Sequence, residues 1–271
     1  MFRSLVCIGI LILHSFPLLA AFEPKPAGGR NVSLGGVIVG NSGECWDVFG
    51  NPSCALGRPS AGFWFSPGFF GLRELMAVGV ATIVPLGGWG VGASLIRFGQ
   101  DLYCETQAST AVAVRLRENT SLGLSLQFYH LSIKGYGSAW SAGLSIGATA
   151  RIASAVGVQC SALNLTGASI GACREPLPQQ ISFGAVTFPD SCLCVVLECR
   201  KESRMPAAVT LGGEYMVFPD VFLRAGASTE TPGISSGLGL RIGTINLDYA
   251  VQWHRQLGTT HSVSICLGSL L

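Results

Sequence analysis

The chain has 271 residues, of which 49% are apolar and only 12% charged, with a formal net charge of +2. Soluble domains carry about a quarter charged residues, so this composition leaves too little charge for a watery exterior, and the near-balanced charge gives no reason to expect a nucleic-acid partner. Beyond the N-terminal leader no stretch of about eighteen apolar residues exists, which excludes helical membrane spans.

Residues 1–20 read as a secretory signal peptide. Arg3 is basic, an apolar run extends from Leu5 to Leu19, and Ala20 and Ala21 supply the small-residue exit, with cleavage expected after one or the other. No Cys stands just after the cleavage point, so a lipid-anchored start is not expected. From Phe22 to about Pro59 the chain is rich in Gly, Pro, Asn and Ser, with a Cys45, Trp46, Val48, Phe49 cluster suited to one short helix. Residues 21–59 are expected to form an N-terminal plug, or hatch, and residues 60–271 a transmembrane β-barrel.

The barrel expectation rests on alternation from Gly62 to the C-terminus. Leu122, Leu124, Leu126 and Phe128 are interleaved with Ser121, Gly123, Ser125, Gln127 and Tyr129, and the rhythm returns in Trp140–Gly147 and Ile245–His254. Successive strand side chains point to opposite faces, so each segment has one oily face and one small or polar face. A soluble sandwich shares this period, but the scarcity of charge turns the oily face toward lipid. Fourteen strands are expected, near 62–70, 75–85, 89–98, 102–117, 121–133, 138–150, 155–166, 180–188, 192–199, 207–218, 221–228, 234–242, 244–254 and 260–270. Tight turns fall at Gly87-Gly88, Glu118-Asn119, Ala153-Ser154, Pro189-Asp190 and Pro219-Asp220, and longer polar links lie between them. The fold class is therefore all-β, a closed antiparallel transmembrane barrel of about fourteen strands with a small plug. The aromatic residues Trp89, Phe98, Tyr103, Tyr129, Trp140 and Trp253 lie near strand ends, as an interfacial girdle requires.

Ionisable residues break the polar face of the later strands. Glu214, Arg224, Arg241 and Asp248 occupy the inward register of four consecutive strands. Such a ladder serves either as a polar track and dock for the plug, with Glu44 and Asp47 accepting from Arg224 or Arg241, or as a structural network filling a narrow interior. Nine cysteines follow the leader, and the plug pair Cys45 and Cys54 is the disulfide candidate. No Cys-x-x-Cys pair suggests zinc, and no metal or cofactor is expected. Ser262 and Ser264 lie within reach of His254 across the final hairpin, but no orienting third group or oxyanion hole accompanies them, so catalysis is not expected.

The stretch Val39–Leu56, with its acidic, small-residue run before Asn51-Pro52, resembles the N-terminal signature of the FadL-type outer-membrane transporters and their PorV/PorQ-like relatives. The last third is similar to the same group through Leu211-Gly212-Gly213-Glu214-Tyr215, Leu223-Arg224-Ala225-Gly226, Gly237–Leu240, Leu247-Asp248-Tyr249-Ala250 and Leu257–Ser264. The resemblance implies a fourteen-stranded barrel with an internal hatch in the outer membrane of a diderm bacterium. It implies passive passage of small hydrophobic molecules, gated by a shift of the plug around Asn51 and Pro52. Alternatively it implies a structural or docking role among secretion-system proteins, with the 167–179 loop holding partners.

Overall fold

A computed structural model describes residues 21–37, 43–230 and 233–268. The expected leader and residues 39–42 of the N-terminal signature lie outside the described residues.

The wall is a closed antiparallel barrel of fourteen strands. In chain order the strands are β1 (Ser60–Ser66), β2 (Ala77–Leu86), β3 (Trp89–Gly99), β4 (Tyr103–Arg117), β5 (Thr120–Ile133), β6 (Gly137–Ala153) and β7 (Val156–Leu163). A small hairpin, β8 (Ser169–Ile170) with β9 (Glu175–Pro176), forms a separate two-stranded sheet. The wall resumes with β10 (Gln180–Thr187), β11 (Leu193–Glu202), β12 (Ala208–Phe218), β13 (Val221–Ser228), β14 (Gly233–Ile242), β15 (Ile245–His254) and β16 (Gly258–Gly268). Closure is made by β1 against β16, from Ser60 opposite Gly268 to Phe65 opposite Val263. No edge is left unpaired, which is the condition for a sheet in hydrocarbon.

The two faces are inverted relative to a soluble protein. On β5, Leu122, Leu124, Leu126 and Phe128 are exposed on the outside, while Ser125 and Gln127 are 4% and 2% exposed on the inside. The same holds around the ring. Phe63, Val91, Val112, Ile146, Phe183, Leu211, Leu238 and Ile265 are exposed, and Ser94, Ser109, Ser145, Ser161, Ser182, Ser235 and Ser262 are buried. An uninterrupted apolar exterior around a polar interior is the wall of a membrane barrel. Trp89, Trp140 and Trp253 stand exposed near strand ends, as the girdle requires. Tyr129 does not belong to it: it is 5% exposed, on the lumen side, packed edge-on against Phe22 at 5.1 Å. Phe98 and Tyr103 also leave the girdle. Phe98 meets Phe69 at 5.8 Å, and Tyr103 donates to Glu105 at 2.7 Å.

The ends of the barrel differ. One carries the short turns, including Gly87-Gly88 and Pro219-Asp220, with Gly87 and Asp220 at φ 68° and 67°. Three β-bulges, at Arg115/Arg117, Arg151/Ala153 and Met216/Phe218, cluster there and sharpen the strand twist. The other end carries the longer links. Two of these depart from expectation. Residues 67–76, read as parts of two strands, instead form 3-10 turns at Phe69–Gly71 and Arg73–Leu75, because Pro67, Gly68 and Gly71 interrupt the ladder. Residues 164–179 fold back on the wall, where Ser141 Oγ donates to the Ser169 carbonyl at 2.7 Å and Ile170 and Leu177 pack against Phe22 and Tyr129.

Candidate functional site

The residues before β1 fill the lumen in two parts. The first is an arm, Ala21–Val37, containing the short helix α1 (Gly29–Ser33). The second, Gly43–Pro59, contains 3-10 helices at Cys45–Phe49 and Pro52–Leu56, where the sequence suggests one helix.

The arm is held by charge. Arg30 donates to Glu214 through Nε at 2.8 Å and Nη2 at 3.0 Å, a bidentate pair. Arg224 bridges the same carboxylate at 2.5 Å and Asp248 at 2.6 Å. Ser264 Oγ accepts from the Gly29 backbone at 2.8 Å and donates to Asp248 at 3.3 Å, and Ser235 Oγ donates to the Ser33 carbonyl at 3.0 Å. Two guanidinium groups and two carboxylates thus balance inside the wall, with Arg30 and Arg224 each 7% exposed. The sequence ladder identifies Glu214, Arg224 and Asp248 but misses Arg30. With Arg241 counted in it, that ladder is balanced, so the sequence gives no sign that a further cation is needed; the place Arg30 fills opens only because Arg241 lies elsewhere.

Arg241 is not in this cluster. Its strand reaches the short-turn rim, where the half-exposed guanidinium lies 4.0 Å from Asp220 and over the Phe222 ring. Glu44 accepts from Asn246 Nδ2 at 3.0 Å, and Asp47 is fully buried. Burial, reinforced by the Asp248 charge, pushes the Glu44 carboxyl up to about 7.

Close backbone approach explains the glycines opposite the plug. A Cβ on Gly226 would lie 2.2 Å from the Leu34 carbonyl carbon, and one on Gly147 would lie 1.9 Å from Asn51 Oδ1. Asn51 is fully buried. Its Oδ1 accepts from Ser53 N at 3.0 Å, capping the second 3-10 helix, and its Nδ2 donates to the Ala148 carbonyl and to Gln159 Oε1, both at 3.3 Å. Pro52 begins that helix, buried against Gly123 and Gly147 of the wall. Asn51-Pro52 is therefore seated against β5, β6 and β7.

The disulfide candidate Cys45–Cys54 is not bonded, and the nine described cysteines are thiols. Successive 3-10 helices aim the two thiols at different strands. Cys45 Sγ lies 3.7 Å from Cys266 Sγ on β16, whereas Cys54 Sγ lies 4.0 Å from Gln159 Oε1 on β7. His254 Nδ1 accepts from the Gln256 and Leu257 backbones, while Ser264 serves the arm.

Cavities lie on both sides of the plug. Toward the long links, about 210 Å³ is lined by Phe69, Phe70, Leu75, Phe98 and Trp253, with Arg200, Glu202 and Glu230 at its edge. A smaller space of about 60 Å³ lies among Phe22, Phe49, Ile96 and Tyr129, with Phe98 lining both. The arm's Glu23–Lys25 segment borders both, with Lys25 over the Phe98 ring and bonded to the buried Glu105 at 3.0 Å. Toward the short turns, about 690 Å³ is lined by charged groups including Arg58, Arg115, Arg151, Asp47 and Glu118.

This arrangement defines a plugged membrane barrel. No family model matches the chain, and no curated protein matches it in sequence. Its fold is similar to the monoaromatic hydrocarbon channel CymD, with a TM-score of 0.68 at 11% identity over 92% of this chain and 99% of that one. It is also similar to a Pseudomonas aeruginosa FadL homologue (0.63, 12%, 92% and 100%) and to the Pseudomonas putida toluene transporter TodX (0.64, 10%, 91% and 99%). At such identities the likeness is one of fold.

Proposed function

We propose that the protein is an outer-membrane channel for passive passage of small apolar molecules, received at the long-link end and gated by the plug. The observation that carries this reading is the aromatic cavity around Phe69 and Phe98, with a smaller space beside it and the arm's Glu23–Lys25 segment lining both. An apolar ligand gains by leaving water for such a cavity. The barrel fold shared with proteins named as hydrocarbon and toluene channels supports the same reading. No energy-coupling element is needed for movement down a gradient.

Opening is assigned to the arm, because it borders both apolar spaces and is held by ion pairs, Lys25 to Glu105 beside them and Arg30 to Glu214 further along. The Asn51-Pro52 turn is an anchor in this scheme. The docking alternative rests on the PorV/PorQ resemblance and on the shortness of the chain and its loops, and the loop assigned to it packs its buried Ile170 and Leu177 against Phe22 and Tyr129.

Binding of a monoaromatic probe to the detergent-solubilised protein tests the cavity. Phe98→Asp is expected to weaken affinity by about tenfold or more, since losing one aromatic contact surface costs at least about 1.4 kcal/mol. Equal affinity in the variant, or no binding to the parent, would count against the reading.

A further inference from the structure

We propose that Cys45 and Cys266 become joined by a disulfide in the exported protein, fastening the second part of the plug to β16. Their sulfurs already face each other at 3.7 Å, both buried, although 221 positions separate them in sequence. A disulfide needs about 2.05 Å, a closure within reach of side-chain rotation. The wall is cut to admit this approach. Gly62 on β1 stands directly opposite Cys266, and a Cβ there would lie 3.0 Å from Cys45 Sγ and 2.4 Å from the Trp46 ring. Cys54, the other plug thiol, has Gln159 as its neighbour instead.

The reaction is thiol–disulfide exchange with an external disulfide donor. A thiolate of one cysteine attacks the donor to give a mixed disulfide, and the second thiolate displaces it. One sulfur–sulfur bond forms as the donor's breaks, and the donor leaves as two thiols carrying the two protons. Within the finished barrel, the Cys266 contact and burial push the Cys45 thiol up, so the exchange belongs to assembly, before the plug is sealed. Once formed, a bond so enclosed is shielded from reductants.

This deepens the gating reading and rests on it for the oxidising compartment. With Cys45 fixed, residues 43–59 are tied to the wall, and opening is left to the arm at 21–37. Arm and fixed part then have separate attachments, ionic for one and covalent for the other.

The test is made in vitro, so that it stands apart from where the protein resides and what it passes. The full chain is refolded into detergent in a buffer of oxidised and reduced glutathione, free thiols are alkylated, and tryptic peptides are sequenced by mass spectrometry. The expected product links peptide 31–73 to peptide 256–271, with the bond at Cys45 and an alkylated Cys54. Alkylation of both Cys45 and Cys266, or a Cys45–Cys54 bond, would overturn the proposal. Chymotryptic cleavage within 43–58 is expected to be slow in the oxidised protein and faster in protein refolded in reduced glutathione alone. An equal rate in the two states would overturn the claim that the bond fastens the plug.

Discussion

Arg30 is the side chain on which attachment of the arm turns, because it completes the charge of a buried cluster that otherwise holds two carboxylates against Arg224 alone. Breaking a buried pair by removing one partner costs about 3–5 kcal/mol, since the other charge is stranded. Arg30→Ala is therefore expected to release the arm while the wall persists, seen as higher conductance in planar bilayers with an unchanged heat-modifiable band on gels. Unchanged conductance would show that the ion pairs do not hold the arm. Glu44 gives a pH signature. Its carboxyl is raised from an ordinary 4.5 to about 7 in the docked plug, so the docked state disfavours the charged form. Docking is strongest below about pH 4.5, weakens as pH rises toward 7 and is level above it. Protection of residues 43–58, taken relative to the intrinsic exchange rate at each pH, is expected to fall across that window and to stay level in Glu44→Gln. Arg30 escapes a sequence reading because it lies in a Gly- and Pro-rich segment with no periodicity to place it, whereas Glu214, Arg224 and Asp248 are fixed by strand alternation.

Elements were legible in proportion to how strictly they alternate. All fourteen wall strands fall near their expected positions, because in a barrel the face of each residue follows from parity alone. Where Pro and Gly interrupt parity, as at 67–76, or where a link folds back, as at 164–179, the pattern carries no instruction and tertiary contact decides. The plug was legible as a change of composition, but its two-part attachment was not, since the Arg30–Glu214 ion pair and the Cys45–Cys266 contact join residues 184 and 221 positions apart. The fit of plug to wall makes a paired prediction on β12 and β13. Gly226→Val should force Leu34 away, at a cost of about 1–3 kcal/mol from overpacking, and loosen the arm. Gly213→Ala, outward with nothing within 4 Å, should leave hydrogen exchange of the arm unchanged. On the lipid face, Leu126→Arg near the middle of β5 is expected to lower unfolding stability in lipid vesicles by about 2–4 kcal/mol. A neutral effect would mean that this face does not meet hydrocarbon.

At the scale of the whole molecule, the structure is a lipid-facing cylinder stoppered by its own N-terminal segment, with an aromatic hollow at one mouth and a charged one at the other. In the proposed reading, apolar solutes enter from the aromatic side and pass a displaced arm in the direction their gradient sets. Neither mouth requires an energy source. Uptake of a hydrophobic monoaromatic fluorophore into vesicles carrying the purified protein tests this most directly. The account predicts uptake that is faster than in protein-free vesicles, saturable, indifferent to uncouplers and accelerated by Arg30→Ala. Uptake at the protein-free rate in both the parent and the Arg30→Ala protein would contradict it.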